Sequence, residues 1–194
     1  MDTALHSTTR SSDIPPGWTY NPSTWGERLP LVAAAVAGLG TALYLSAYQL
    51  NYIESVWDPF FGSASSEIIL NSPISKVLPI PDALLGAIGY FLDAISGIIG
   101  RTKRWKTMPW IVVLFGVAVG PLGITSLFLV VAQPVMFHAW CTLCLVSAII
   151  SIIMIGPAMD EVLASLQYLQ RVKRSGLSVW KAFWGNEEIN ANVN

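Results

Sequence analysis

Trp140-Cys141-Thr142-Leu143-Cys144 contains both cysteines of the chain, and it is the stretch whose residue types and spacing are suited to chemistry. Cysteines three apart on a helix share a face, close enough to form a disulfide or to act in turn on one substrate, so C-x-x-C is a redox spacing. At the start of a helix, unpaired backbone N–H groups and the helix dipole stabilise an anion and lower a thiol pKa. Two inert readings compete: a pair of small apolar side chains, or a structural disulfide. Zinc would need about four ligands, and only His138 is near in sequence while His6 lies at the far end of the chain. No metal is expected.

Three other polar residues accompany the pair. His138, one turn before Cys141, could stabilise a thiolate or pass a proton, although an interfacial helix-end histidine is the plainer reading. Asp82 is placed to cap a helix from Ala83 onward, or to face the cysteines across a bundle. Asp93 falls near the middle of an apolar run, where an unpaired charge costs roughly 3 kcal/mol on insertion scales. It must be protonated, paired or wet. Proton delivery and a structural hydrogen bond to Ser46, Thr125 or Ser126 are both open.

The elements that must position these residues are set by composition. The 194 residues are 53% hydrophobic and 12% charged, with a mean hydropathy of +0.54, whereas soluble domains carry roughly 25% charge. An all-α integral membrane protein is expected. Net charge is −1 and the basic residues stand at the ends of apolar runs, which reports orientation rather than a nucleic-acid partner. Residues 1–30 are rich in proline (Pro15, Pro16, Pro22, Pro30) and lack the apolar core and cleavage site of a signal peptide. They read as an uncleaved cytoplasmic tail, ordered only where it packs on something.

A spanning helix needs about 20 mostly apolar residues. Four segments qualify: Leu31 to Leu50, Ala83 to Gly100, Pro109 to Gln133, and about Phe137 to Met159. Small residues in the first, and Gly116 and Gly120 in the third, allow close helix contacts in lipid. Pro121 is expected to kink the third helix, and Pro134 suits the start of the fourth. Ten Lys and Arg residues lie in the two terminal regions and the middle connection; the first-to-second connection has only Lys76 and the third-to-fourth has none. The positive-inside rule then places both termini in the cytoplasm and Cys141 and Cys144 near the outer face. A bacterial inner membrane, with its oxidising periplasm, fits.

The connection from Asn51 to Asp82 is long, and long loops in compact proteins are functional or disordered. Its Trp57, Phe60, Phe61, Ile68, Ile69 and Leu70 argue for order, with a short helix beginning near Ser65-Ser66-Glu67. It reads as a lid on the outer face. Residues 160–194 carry Leu163, Leu166, Leu169 and Val172 at helical spacing, then Trp180, Phe183 and Trp184, which predicts amphipathic helices lying along the cytoplasmic headgroups.

Three stretches resemble the vitamin K epoxide reductase family: Tyr44-Leu-Ser-Ala-Tyr48, Val77-Leu-Pro-Ile-Pro-Asp-Ala-Leu-Leu-Gly-Ala-Ile-Gly-Tyr90, and Trp140-Cys-Thr-Leu-Cys144. The likeness covers about residues 31–159. It implies a four-helix transmembrane bundle holding a quinone, of ubiquinone or menaquinone type, near its outer end. By this resemblance Cys144 faces the quinone, Cys141 receives electrons from another dithiol, and Asp82 stands where relatives carry an asparagine that hydrogen-bonds the quinone carbonyl. Two departures stand out. Ala148 replaces a tyrosine found in some relatives, and the two loop cysteines of the family are absent, with Ser66 near the second expected position. An extracytoplasmic thioredoxin-like dithiol protein must then reach Cys141 directly. The reading is a quinone-linked thiol–disulfide oxidoreductase, against a non-catalytic relative that binds quinone, lipid or a membrane partner and keeps the cysteines as a tie.

Overall fold

The computed structural model describes residues 14–76, 79–186 and 188–189. His6 and Arg10 of the tail, Val77 and Leu78 of the second motif, and residues 190–194 lie outside the described residues. Among those described the fold is all-α, with no strand.

Helix α1 (Trp25–Gln49) begins six residues before the apolar run, because Thr24 accepts the first backbone bonds and Glu27 suits the positive end of the helix. Helix α2 (Ser63–Leu70) and a 3-10 turn (Ile74–Lys76) occupy the long connection, and α3 (Asp82–Ile98) follows. A short α4 (Arg104–Thr107) leads to α5 (Pro109–Ala132), which is continuous across Pro121 and ends in a π-helical turn, Gln133–Phe137. Pro134 therefore belongs to the end of the third apolar helix, not to the start of the fourth. Helix α6 (Thr142–Arg174) runs through Pro157 and continues well past the expected end at Met159, and α7 (Val179–Phe183) closes the described order.

Among the described residues, three helical stretches are long and apolar enough to cross a membrane: Trp25–Gln49, Pro109–Phe137 and Thr142–Arg174. Helix α3, at 17 residues, stands at the lower limit of about 17–25 for a span. Length and composition thus give three spans where four are expected.

The chain forms two compact units. One combines the segment up to Leu31, Ser96–Val117 and the chain from Gly156. Its apolar core is Trp105, Ala164, Tyr168, Val172, Ala182 and Ile189. The buried stripe of the α6 end is thus Ala164, Tyr168 and Val172, whereas Leu163 and Leu166 are exposed. Part of the expected amphipathic surface is turned into protein; Trp180 and Trp184 stay exposed.

This unit also buries charge. Arg104 forms a wholly buried ion pair with Glu161, which takes a further hydrogen bond from Ser23 Oγ at 2.5 Å. Arg28 donates to the carbonyls of Gly97, Ile99 and Gly100, satisfying orphan acceptors at the end of α3. Two of the cations counted for orientation are therefore structural. Truncating one partner of a buried pair costs about 3–5 kcal/mol, because the other charge is left uncompensated. Glu161→Leu is expected to lower the unfolding free energy in detergent by about that amount, while Arg174→Ala at the exposed helix end changes it by under about 0.5 kcal/mol.

The other unit, Val32–Ile95 with Ala118–Ile155, contains the cysteines. Its helices approach closely at glycines. A Cβ on Gly38 would stand 2.5 Å from the Tyr90 ring, and one on Gly123 would overlap Ile155. Gly38→Ala is expected to push Tyr90 out of place at a cost of about 1–3 kcal/mol, read as a lower thermal midpoint.

Candidate functional site

Cys141 precedes the first residue of α6 and Cys144 lies in its first turn. They form a disulfide with Cα atoms 5.2 Å apart, within the usual range for such a bridge. Cys141 Sγ also accepts the Cys144 backbone N–H at 3.2 Å, so this sulfur occupies the position of a helix N-cap.

The bridge sits between a polar clamp and an apolar wall. Cys141 is wholly buried, and its own N–H donates to Gln133 Oε1 at 3.0 Å, across the π-helical turn. Cys144, partly buried, packs with Leu143, Tyr48 and Ala83 on the cluster Leu45, Val56 and Leu70.

Asp58 forms the clamp. One carboxylate oxygen accepts from Ser66 Oγ at 2.6 Å and from the Thr142 N–H at 2.8 Å; the other accepts from Thr142 Oγ1 at 2.5 Å and from the N–H groups of Phe60 and Phe61. Burial acts to raise its pKa, but these bonds from Ser66, Thr142 and Phe61 outweigh it and hold the carboxyl well below the usual carboxylate range. Ser65 Oγ donates to the Trp140 carbonyl at 2.7 Å and lies 2.9 Å from the Trp140 N–H, while Phe61 stacks on the Trp140 ring. The long connection is thus tied to the residues on either side of Cys141.

The remaining sequence candidates are placed as follows. The Asp82 carboxyl takes the Gln49 amide at 2.5 Å and the Ala83 N–H at 2.9 Å. Asp82 stands inside the first turn of α3, whose first backbone bonds go to the Pro81 carbonyl, so it is not the expected N-cap; its neighbour Ala83 touches the Cys144 cluster. His138 is exposed, with a left-handed backbone (φ 51°) that ends the π-helical turn. Asp93 is buried with Tyr90 and Ser151 along one narrow gap. Of the three hydroxyls expected to meet it, Ser46 donates to the Ala42 carbonyl and Ser126 to Ser151 Oγ. Ser66, near the expected loop cysteine, is fully buried on Asp58.

Asp58, Gln133, Ser65 and Thr142 were not singled out from sequence. Asp58-Pro59 does carry a turn signal, since an aspartate accepts backbone N–H groups two and three residues on, and that half of the arrangement was readable. Its reach to Thr142, 84 residues away, was not.

A half-open cavity of about 400 Å³ lies beside this site, lined by Tyr48, Gln49, Glu54, Leu70, Asn71 and Pro81 among others. Tyr48 and Leu70 face it and also pack in the Cys144 cluster. Neither cysteine lines the cavity; its wall mixes Leu70 and Ile53 with the amide, hydroxyl and carboxyl groups of Gln49, Asn71, Ser75 and Glu54.

Long apolar helices and a disulfide at a helix start define the class: an integral membrane protein carrying a dithiol/disulfide pair. More narrowly, the chain belongs to the vitamin K epoxide reductase family, whose sequence model matches residues 29–158, about two thirds of its length. No curated protein matches the sequence.

Proposed function

We propose that this protein is a quinone-linked thiol–disulfide oxidoreductase. The observation that carries the reading is the Cys141–Cys144 pair at the start of α6, with Cys144 against an apolar cluster inside the family-matched region. Use of quinones is general in this family. A partner dithiol of thioredoxin-like type attacks the bridge at Cys141, leaving Cys144 as the sulfur that faces a ubiquinone or menaquinone. Gln49 lines the cavity with an amide that can donate to a quinone carbonyl, and Asp82 holds that amide in place.

In this reading α3 completes a four-span bundle. The pair lies near the outer face of a bacterial inner membrane with both termini in the cytoplasm, and residues 56–70 act as a lid. The absence of loop cysteines means that the partner engages Cys141 itself, so the lid must open for each transfer. Quinol formation, followed by absorbance in proteoliposomes supplied with a dithiol and a water-soluble quinone, tests the proposal. No rate above protein-free vesicles would sink it.

One observation favours a second reading, in which the bridge is only a tie and the bundle binds quinone, lipid or a membrane partner. Cys141 is wholly buried beneath Asp58 and Trp140 contacts. A bridge that resists excess dithiol while quinone still binds would decide for it.

A further inference from the structure

A line of hydroxyl groups leads from the cysteine helix into the protein interior. Tyr90 OH lies 2.7 Å from the Ser147 carbonyl, 3.0 Å from Ser147 Oγ and 2.7 Å from Ser151 Oγ. Ser126 donates to Ser151 at 3.2 Å. With that donor set, Ser151 can donate to Tyr90, whose single O–H goes to the Ser147 carbonyl or, on rotation, to Ser147 Oγ. Ser147 follows Cys144 by three residues on α6, so the two share a face about 5–6 Å apart at Cβ. At the other end, Asp93 follows Tyr90 by three residues on α3, and it shares with Tyr90 and Ser151 a gap otherwise walled by Val119, Leu122 and Met154. Tyr90 is the other titratable group lining that gap, and its ring is seated in the notch left by Gly38.

The placement has a chemical consequence for a pair that gains and loses electrons. Reduction of a disulfide to one thiol and one thiolate adds a negative charge to a weakly solvated interior, which is costly unless a proton moves with it. Asp93 shares its gap with Tyr90 and Ser151, two hydroxyls of the line that reaches Ser147, one turn beyond Cys144. None of the cysteine contacts described above uses it.

We propose that Asp93 is the proton reservoir of the Cys141–Cys144 pair, reached through Ser151, Tyr90 and Ser147. This rests on the pair being redox-active. When a dithiol reduces the bridge, the S–S bond breaks and a disulfide forms on the dithiol. One of its two protons ends on Cys141 and the other on Asp93, leaving a thiolate on Cys144 and converting the Asp93 carboxylate to the acid. When the pair is reoxidised, the S–S bond re-forms and two electrons pass to the quinone. The Cys141 proton and the Asp93 proton follow them to give the quinol. One negative charge is kept throughout, on carboxylate or on sulfur. Asp93 touches no reacting atom and acts through the hydroxyl line.

The test uses full-length protein in nanodiscs and infrared difference spectra, reduced minus oxidised, with dithiothreitol as reductant and no quinone present. A carboxylic-acid C=O band should appear on reduction in the wild type. It should be absent in Asp93→Asn, which keeps the side-chain shape, and lost or slowed at least tenfold in Tyr90→Phe. A reduced bridge with no band that depends on Asp93 overturns the reservoir while leaving the oxidoreductase reading intact. An undiminished band and rate in Tyr90→Phe overturns the route. A bridge that excess dithiothreitol cannot reduce overturns both the reservoir and the function it rests on.

Discussion

Cys141→Ser and Cys144→Ser are each expected to lower dithiol-driven quinone reduction by more than about 1,000-fold, because no other cysteine exists to carry the electrons. A hydroxyl cannot form the sulfur–sulfur bond, and a serine alkoxide is far less accessible at neutral pH than a thiolate. The two variants should differ in what they trap. With Cys144 replaced, the Cys141 thiolate can still attack the disulfide of an oxidised partner, breaking that bond and giving a mixed disulfide detectable as a heavier band on non-reducing gels. With Cys141 replaced, that band should be missing, since Cys144 packs on the Leu45, Val56 and Leu70 cluster. Equal trapping in both variants would contradict the assigned order of the sulfurs.

The second large effect concerns Asp58. Its carboxylate gathers two hydroxyls and three backbone N–H groups. Buried donors left without an acceptor cost about 1–3 kcal/mol each, so Asp58→Ala should destabilise the Cys141 end of α6 by about 3–5 kcal/mol. After reduction, labelling of Cys141 by a maleimide should accelerate at least tenfold, as the clamp over this wholly buried residue is released. Asp58→Asn retains part of the acceptor set and should show a smaller change in both. Labelling at the wild-type rate in Asp58→Ala would show that the clamp does not control access.

Acid should reproduce part of this effect. The Asp58 pKa is lower folded than unfolded, where an aspartate titrates near pH 4. Its contribution is therefore fully present above that pH and is lost as pH falls through the lower, folded value. Clamp stability should be flat from about pH 5 to pH 8 and decline only in strong acid, with Asp58→Asn flat across the whole range. Stability rising on acidification would reverse the sign and refute the assignment.

How legible the protein was depends on the range over which each feature is determined. Apolar runs placed the bodies of α1, α3, α5 and α6 within a few residues, since a spanning helix satisfies its own backbone and needs only length and hydropathy. The ends were less readable. Helix α6 continues to Arg174 because Glu161 is neutralised by Arg104, a pairing across 57 residues that hydropathy sees as two charges and hence as an end. Pro134 looked like a helix start because proline favours first turns, yet it sits in the π-helical turn closing α5. Arg28 and Arg104 counted as surface cations, although both are buried on helix-end carbonyls.

By itself the sequence determined that the chain lives in a membrane, which family it joins, and that its two sulfurs stand at the start of an apolar helix. Run length, motif order and three-residue spacing are properties of neighbouring residues, so no knowledge of the fold is needed to read them. Only the tertiary structure decided that Asp58 and Ser66 close over Cys141, that Asp82 turns to Gln49, and that Tyr90 links Ser147 to the surroundings of Asp93. Each of these pairs a polar group with one many residues distant. Which acceptor a buried donor finds is settled by packing, because a hydrogen bond depends on a few tenths of an ångström and an angle that no residue type encodes.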